Sequence, residues 1–426
     1  MPGGKVQMEM NDMILVSIDD HIIEPADMFE RHMPEKFKDR APKMVQSPEG
    51  LDQWIIEGQV TGTTGLSAVV SWPNDEWGFD PTGMAEMRPG CYDVHERIRD
   101  MDANGIFASM NFPTVIGFNC SQLAHIADDE LRSAVISAYN DWHVEDWCGP
   151  YPGRLIPQGV VNLWNVDAAV AEVNRLAKKG VTAISFPETP YVMGLPTFKS
   201  GHWDPFLKAM VDNNMVLNMH IGTSFGLMQQ PEGYPSDHLI ILAPQLSTLT
   251  ATDLLVAGVF RRFPDLKIGL SEGGVGWIPF FLDRLDRHLS NHKWTGLDIG
   301  EGVDPTETFR KHFIGCFITD PAALHNRNRI GIDNIAWECD YPHSDCTWPR
   351  SPEMLWKELQ DASCNDAEIN KITHENVAAW YGIDLFKHVP KEQATVGALR
   401  ALATDVDTGI TPKAEWRKRY EAKHSA

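Results

Sequence analysis

The chain of 426 residues has little of what marks nucleic-acid-binding, membrane-spanning or disulfide-bonded proteins. It contains 37 lysines and arginines against 59 aspartates and glutamates, so its formal net charge of −22 disfavours nucleic acid and anionic membranes as partners. No apolar run approaches the roughly 18 residues of a membrane-spanning helix, and no apolar segment follows the basic residue near the N-terminus. The seven cysteines show no paired spacing. We therefore expect a soluble, cytoplasmic protein with reduced thiols that binds neither nucleic acid nor membrane.

Two familiar catalytic motifs are also missing. No glycine-rich phosphate-binding turn follows the first apolar strand, which disfavours a doubly wound nucleotide-binding sheet. No G-x-S-x-G elbow is present, and no cysteine has the spacing of a nucleophilic dyad. If the protein is an enzyme, its chemistry must come from other residue types.

What the sequence does contain is an alternation of short apolar strands with amphipathic helices. The strands are mostly aliphatic, as expected of parallel strands that are buried on both faces. Eight such units predict a (β/α)8 TIM barrel, with a doubly wound open sheet as the alternative. The predicted strands span residues 14–18, 106–110, 155–161, 182–186, 216–220, 267–270, 313–317 and 335–337. The predicted helices span 93–103, 130–147, 166–179, 203–213, 247–262, 278–289 and 321–329, followed by 352–361 and 366–381.

Three segments depart from this alternation. Residues from about 33 to 92 contain WIIEGQVTGTTGLSAVV, whose halves flank Gly62 and Gly65 and predict a hairpin within an inserted β-rich flap after the first strand. Residues 222–245 are long and aperiodic, which is typical of a functional lid. Residues 385–426 predict a charged, helical C-terminal extension that packs on another subunit. We therefore predict a barrel domain over residues 1–384, an extension over 385–426, and a homodimer or larger homo-oligomer.

Histidines and carboxylates occur where the predicted strands end, which is where TIM barrels carry their catalytic groups. The first strand runs into Asp19, Asp20 and His21. Because side chains alternate along a strand, Asp19 and His21 share a face, whereas Asp20 points away and is predicted to be structural. Such residues meeting at one ring of positions indicate a metal site suited to zinc, iron or manganese. Later strands end at Glu188 (fourth), His220 (fifth), Glu272 (sixth) and Asp340 with His343 (eighth).

Four motifs, DDHIIEP, NMHIG, SEGGVGWIP and ECDYPHSDCTWP, resemble the amidohydrolase superfamily. The resemblance extends from Ile14 to about Tyr381 and is closest to the amidohydrolase-related family that includes aminocarboxymuconate-semialdehyde decarboxylase. It implies a TIM barrel with metal ligands at the ends of strands one, five and eight. Carried over residue by residue, these ligands are Asp19, His21, His220 and Asp340.

The chain departs from the family pattern at two of these strand ends. Asp19 stands where relatives commonly carry histidine or glutamate, and Glu272 stands where they usually carry histidine. A single divalent ion held by Asp19, Glu272 and Asp340 would leave the site negative, and crowded like charges recruit a cation or a proton. We therefore predict two divalent ions, of iron, manganese or zinc, bridged at about 3.5–4 Å.

The leading functional hypothesis is a metal-dependent hydrolase of a small organic substrate such as an aromatic compound or secondary metabolite. Metal-activated water would attack the carbonyl of an amide, ester, thioester or activated C–C bond. Asp340 would move the proton, and His343 or His238 would stabilise the oxyanion. Glu24 is a further catalytic candidate that could reach back to the metal or orient His21. Glu188 has two open roles, a contact near the substrate and a structural salt bridge.

Two alternatives stand beside hydrolysis. A non-oxidative, metal-dependent decarboxylase of an aromatic or unsaturated carboxylic acid would work with one metal and a cation near the departing carboxylate. The candidate cations are Arg88, Arg154 and Arg350. A non-catalytic barrel that binds metal for stability is the other alternative.

Overall fold

We describe the fold from a computed structural model. It describes residues 8–61, 65, 67–78, 81, 83–297, 299 and 303–424. The strands in this part of the chain are β1 (Leu15–His21), β2 (Lys43–Gln46), β3 (Asp52–Ile56), β4 (Gln59–Val60), β5 (Ile106–Phe112), β6 (Leu155–Ile156), β7 (Gln158–Gly159), β8 (Ala183–Ser185), β9 (Val216–His220), β10 (Lys267–Ser271), β11 (Phe313–Phe317) and β12 (Ile335–Trp337).

Two parallel sheets form the wall of a barrel. One has the strand order β1-β5-β6 and the other β7-β8-β9-β10-β11-β12. Pro157, which has no N–H to donate, separates β6 from β7, so the third predicted strand appears as two short ones. At the opposite edges, Asp340 donates its N–H to the Asp19 carbonyl (3.0 Å) and His21 donates to the Tyr341 carbonyl (2.7 Å). The protein is therefore a TIM barrel, as predicted, with all eight strand positions present.

Helices cover the outside of this wall. The longer ones begin where the sequence predicts them, although Gly258 (φ 67°) divides the single helix expected over 247–262. They are α1 (Met28–His32), α2 (Val94–Asn104), α3 (Asp129–Trp142), α4 (Val166–Lys178), α5 (Asp204–Asp212), α6 (Asp237–Leu242), α7 (Leu246–Val256), α8 (Val259–Arg262), α9 (Ile278–Asn291), α10 (Pro305–His312), α11 (Pro321–His325), α12 (Arg327–Ile330), α13 (Ser351–Asp361), α14 (Asp366–Asn370), α15 (Asn376–Tyr381), α16 (Val396–Leu402) and α17 (Lys413–His424).

The alternation of side chains along the strands divides the core in two. Leu15 and Leu217 belong to the large cluster that includes buried residues of the surrounding helices. Their strand neighbours Val16 and Val216 belong to a second cluster with Tyr381 of α15. Because parallel strands bury both faces, the wall is mostly apolar, although Ser17, Ser109 and Asn218 are buried within strands, and the charged groups concentrate at the strand ends.

The insertion forms the predicted β-rich flap, but its hairpin lies earlier than predicted. Strand β3 pairs antiparallel with β2 and with β4. The turn from β3 to β4 is at Glu57 (φ 48°) and Gly58 (φ 77°), because a two-residue hairpin needs positive φ at both turn positions. The prediction of a turn around Gly62 and Gly65 was therefore wrong. Residues 62–64 and 66 lie outside the described part of the chain.

The C-terminal extension packs on its own chain. Trp416 of α17 forms a small apolar cluster with Val69 and Trp72 of the insertion. The N–H of Lys413 donates to Glu76 (2.8 Å). Contact of this extension with another subunit stays a prediction, as does the division of the chain into two domains.

The segment after β9 contains one helical stretch, Asp237–Val256, that is long and apolar enough to cross a membrane by length and composition alone. The sequence analysis expected no uninterrupted apolar run of this length, and this stretch meets the criterion by its mean hydropathy instead. Core helices of soluble proteins meet the same criterion, and Leu246, Ala251 and Leu254 of this stretch are buried.

Candidate metal centre

Three predicted ligands meet at the ends of β1 and β9. The Nε2 atoms of His21 and His220 lie 3.3 Å apart. Each also lies near one carboxylate oxygen of Asp19, at 3.5 Å for His21 and 3.6 Å for His220. All three side chains are buried. The alternation along β1 therefore puts Asp19 and His21 together, and the neighbouring strand end supplies the second histidine.

Asp20 points away from this group, as the sequence predicts. Its carboxylate accepts hydrogen bonds from the hydroxyls of Ser17 (3.1 Å) and Ser109 and from the N–H of Tyr341 (2.9 Å). Burial raises the pKa of Asp20 to about 6, although Arg97 and the hydrogen bonds act in the opposite direction. Asp20 is a fully partnered structural carboxylate.

Glu272 and Asp340 bring two further carboxylates to the site from left-handed backbone conformations. Their φ angles are 57° and 61°, values that residues other than glycine rarely adopt. Strained positions of this kind concentrate at functional sites. An oxygen of Glu272 lies 2.7 Å from His220 Nε2, and one of Asp340 lies 3.3 Å from His21 Nε2. Both predicted ligands are therefore close to the histidine pair.

His343 completes the outer part of the site. Its Nδ1 lies 2.9 Å from Asp340, and its ring stacks on that of His21 with centroids 3.8 Å apart. Burial lowers the pKa of His343, but the charge of Asp340 and the hydrogen bond to it outweigh burial, so the net shift is upward. The Nε2 of His343 has no protein partner among the described residues.

Burial and crowding set the protonation of the two central residues. Burial, followed by the charges of Glu338, Glu272 and Asp340, raises the pKa of Asp19 well above its ordinary value. Burial, followed by the neighbouring His343 and His220, lowers the pKa of His21. Without a cation this site therefore disfavours both a carboxylate anion and an imidazolium.

The donor set fits a divalent cation. Neither carboxylate oxygen of Asp19 has a hydrogen-bond partner among the described residues, although both are buried. His220 Nδ1 lies 2.5 Å from the Ile221 carbonyl and therefore carries the proton, which leaves the Nε2 lone pair facing the site. Two sets have donor atoms within 4.8 Å of one another: His21, Glu272, Asp340 and His343, and Asp19, His21 and His220.

Sequence reasoning missed two residues next to these sets. Glu338 directly follows β12 and Cys316 lies on β11, and together with Asp19 they form a third set of closely spaced donors. Burial raises the pKa of Glu338 well above its ordinary value, and Glu272 and Asp340 raise it further, although the Cys316 hydrogen bond opposes this. Glu338 could have been found, because it is a carboxylate at a strand end two residues before Asp340. Nothing in the sequence marks Cys316.

The carboxylate of Glu24 is engaged by a loop, and the catalytic role predicted for it stays a prediction. Its carboxylate accepts hydrogen bonds from the N–H groups of Thr114 and Val115, both at 2.9 Å. This loop carries Phe118, whose ring lies against those of His21 (4.7 Å) and His220 (4.2 Å). Glu24 therefore positions a loop that covers the histidine pair, and it belongs to none of the donor sets of the described residues.

Glu188 acts in the same way on the loop after β9. It accepts hydrogen bonds from the N–H groups of Gly222 (2.9 Å), Thr223 (3.2 Å) and Ser224 (2.8 Å). Two roles were left open for Glu188, a contact near the substrate and a structural salt bridge. The geometry fits a structural role, although the partners are backbone amides and not a cationic side chain.

The remaining candidates lie outside the donor sets. His238 is on α6, where its ring contacts Tyr234. Arg88 pairs with Asp100 and Arg154 with Asp102, at 2.7 and 2.6 Å, so both are occupied in structural ion pairs. Arg350 is exposed.

A cavity of about 630 Å³ opens beside the site. Glu272 and Glu338 belong to its lining, and Phe225, Trp277 and Phe280 contribute apolar wall. Among the described residues that line it there is no arginine or lysine. The cavity thus combines an acidic floor with aromatic walls.

A TIM barrel with histidines and carboxylates at its strand ends is the architecture of a metal-dependent enzyme. The family model described as Amidohydrolase matches residues 47–383, so the chain belongs to the amidohydrolase family and is an enzyme of that family. The matched segment begins after Asp19 and His21, so geometry alone joins these two residues to the site. Membership confirms the predicted resemblance, and the non-catalytic alternative has no support.

Proteins with known names or solved structures are similar to this chain. The 2-amino-3-carboxymuconate-6-semialdehyde decarboxylase of Dictyostelium discoideum is 21% identical over 263 residues, which cover 60% of this chain and 68% of the relative. An amidohydrolase from Mycobacterium avium subsp. paratuberculosis K-10 superposes with a TM-score of 0.66 at 23% identity, covering 87% of this chain and 99% of the other.

Two further structures share the fold. The 5-carboxyvanillate decarboxylase of Sphingomonas paucimobilis has a TM-score of 0.60 at 18% identity, over 87% of this chain and 99% of the other. The enzyme of that name from Novosphingobium aromaticivorans, complexed with manganese and 4-hydroxy-3-methoxy-5-nitrobenzoic acid, has a TM-score of 0.58 at 16% identity, over 89% and 99%.

Proposed function

We propose that the protein is a metal-dependent, non-oxidative decarboxylase of a small aromatic or unsaturated carboxylic acid. The observation that carries the proposal is that a set of histidine and carboxylate donors adjoins a cavity with aromatic walls. Glu272 belongs to the donor set and also lines the cavity. The relatives named above include decarboxylases of such acids, and one of them holds manganese. They support decarboxylation better than hydrolysis, the leading hypothesis from the sequence.

The donor sets would hold the ion, with Asp19, His21, His220, Glu272 and Asp340 as ligands. A bound divalent cation would supply the positive charge that binds and orients the substrate carboxylate. This need is strong here, because Arg88 and Arg154 are engaged elsewhere and the described cavity lining has no cationic side chain. Trp277 and Phe280 would contact the flat apolar part of the substrate.

Decarboxylation breaks the C–C bond to the carboxylate, releases carbon dioxide and requires one proton at the carbon left behind. His343 is placed to donate that proton from Nε2, because this nitrogen has no protein partner while Nδ1 faces Asp340. Asp340 orients the ring and stabilises its protonated form. His343 is 8% exposed, so it would regain its proton from solvent.

Hydrolysis of a carbonyl compound is the second candidate. It is favoured by the second oxygen of Asp340, which is buried, has no hydrogen-bond partner among the described residues and could accept a proton from an attacking water. Either reaction would need the same ligands, so the product decides between them.

The test is carbon dioxide release by the manganese-loaded protein from a panel of hydroxylated and methoxylated benzoic acids, alongside simple aryl esters and amides. We expect stoichiometric carbon dioxide from one or more of the acids and no ester cleavage. Ester or amide cleavage without carbon dioxide from any acid would replace the proposal with hydrolysis.

A variant pair tests the proton donor. We expect His343→Gln to lower kcat by roughly 10²–10⁴-fold, the usual contribution of general acid–base catalysis. His312→Gln is the matched control, because His312 is also buried but bonds the Leu266 carbonyl at the other end of the barrel strands (2.7 Å). Equal activity of the two variants would remove His343 from the mechanism.

A further inference from the structure

We infer that the barrel holds a second divalent cation, bound inside the wall by Asp19, Cys316 and Glu338, with Asp19 shared between this inner ion and the outer one. The inference rests on the metal dependence in the proposed function and deepens it. Its ligand set extends the two-ion prediction made from the sequence, because neither Cys316 nor Glu338 was among the predicted ligands.

The three residues come from three different strand positions. Asp19 lies on β1, Cys316 on β11 and Glu338 directly after β12. One donor atom from each lies within 4.8 Å of the others, and the Cys316 thiol lies 2.5 Å from a Glu338 oxygen. All three side chains are at most 1% exposed. The set is therefore compact, buried and made of residue types that bind divalent transition metals.

The unpartnered carboxylate of Asp19 indicates that this cluster is a cation site. Both of its oxygens are buried without a hydrogen-bond partner among the described residues. It belongs to the set with His21 and His220 and also to the set with Cys316 and Glu338. A carboxylate has two oxygens, so Asp19 can serve an ion in each set.

The charges of the site point the same way. Four carboxylates, Asp19, Glu272, Glu338 and Asp340, converge here, and their ion pairs in the described part of the chain are with histidines only. The guanidinium of Arg97, which is buried near β1, donates to the carbonyls of Gly90 and His21. One divalent cation balances two of the four carboxylate charges. Once the Cys316 thiolate is counted, three negative charges remain, and a second divalent cation balances two of them. Buried carboxylates left unbalanced are costly.

Cys316 distinguishes the inner position from the outer one. Its thiol donates a hydrogen bond to a Glu338 oxygen, so its sulfur already faces the carboxylates of the inner set. A cation at this position would be held by the thiolate form of Cys316, with the thiol proton released to solvent, because metal ligation requires the thiolate. A thiolate ligand gives cobalt(II) an intense near-ultraviolet charge-transfer band, whereas oxygen and nitrogen ligands do not.

The experiment is cobalt(II) loading of the full chain, with metal content and absorption measured in the absence of substrate. We expect two ions per chain and the charge-transfer band in the wild type. Cys316→Ser should lose the band, and both Cys316→Ser and Glu338→Gln should fall to one ion per chain.

The matched control is Cys339→Ser. Cys339 is also wholly buried and adjoins Asp340, but its sulfur faces Ser351 (3.5 Å) and Asn104 (3.8 Å). The Cys339→Ser variant should keep two ions per chain and the charge-transfer band. A thermal melt of each variant verifies that it is folded. One ion per chain in the wild type, or two ions in Glu338→Gln, would overturn the inference. Because no substrate is used, either result leaves the decarboxylase proposal to the carbon dioxide assay.

Discussion

Asp19 and Asp20 are neighbours on one strand, and both are buried, yet they differ in their hydrogen-bond partners. Asp20 has three hydrogen-bond donors around it, from Ser17, Ser109 and Tyr341. Asp19 has none, and its nearest charged neighbours include three other carboxylates. A partnered buried carboxylate holds the fold together, whereas an unpartnered one destabilises it until a ligand arrives. The two faces of β1 therefore separate stability from function.

The strongest test of this contrast is metal binding. We expect Asp19→Asn to weaken binding of the divalent cation at least about 100-fold, because it removes an anionic ligand and not merely a residue that supports one. Asp20→Asn is the control and should bind the ion as the wild type does. Titration of the apoprotein with manganese measures both, and equal affinities would mean that Asp19 is not a ligand.

Stability of the metal-free protein should show the reverse pattern. Asp20→Ala removes a charged acceptor from three donors and should lower the free energy of unfolding by about 2–3 kcal/mol. Asp19→Ala removes no hydrogen bond and relieves repulsion, so it should cost less than Asp20→Ala. Urea denaturation in the presence of a chelator measures both values. A larger loss for Asp19→Ala would reverse the assignment of the two faces.

His143 is another buried ionisable group without a full set of partners, and it lies outside the metal centre. Burial lowers its pKa to about 3, and its Nδ1 has no partner among the described residues. The unfolded chain therefore takes up a proton near pH 6.5 that the folded chain refuses, so stability is full above that pH and falls as the pH decreases below it.

The loss should approach about 1.4 kcal/mol per pH unit below pH 6.5. His143→Gln should lose less stability than the wild type between pH 7.5 and 5.5 in thermal melts, whereas His325→Gln, at an exposed position on α11, should follow the wild type. Identical pH dependence in all three proteins would contradict a buried neutral His143.

The smallest effect concerns Glu24, a second carboxylate that is partnered like Asp20. Glu24→Gln keeps one acceptor for the N–H groups of Thr114 and Val115 and should lower the free energy of unfolding by about 1 kcal/mol. Cation affinity should stay at the wild-type value. A loss of affinity as large as that of Asp19→Asn would restore Glu24 as a ligand.

Much of the barrel was predictable because parallel strands leave a local trace. Aliphatic runs of three to seven residues with helices between them gave all eight strand positions, and only Pro157 altered one of them by dividing it. The flap hairpin was misplaced because several glycines compete for the turn, and the choice of Glu57 and Gly58 depends on how β2 pairs with β3. The helical stretch after β9 was also missed, since it combines α6 with α7 and has no uninterrupted apolar run.

The candidate site divides in the same way. Asp19, His21, His220, Glu272 and Asp340 could be picked out because each ends a predicted strand, and the structure brings all five together. Glu188 also ends a predicted strand and Glu24 closely follows one, yet the oxygens of both accept hydrogen bonds from backbone amides of loops that follow other strands. No local pattern distinguishes a carboxylate that binds a loop from one that awaits a cation.

By itself, the sequence determined which face of β1 carries Asp19 and His21, since a period of two along a strand is a local property of the chain. It also determined the excess of acid over base at the strand ends. Only the tertiary structure decided that Asp19 lacks partners, that Asp20 has three, and that Cys316 and Glu338 lie beside Asp19. The contacts of Asp19 with Cys316 and Glu338, and that of Asp20 with Tyr341, join residues about 300 positions apart, and the approach of the last strand to the first is what makes them neighbours.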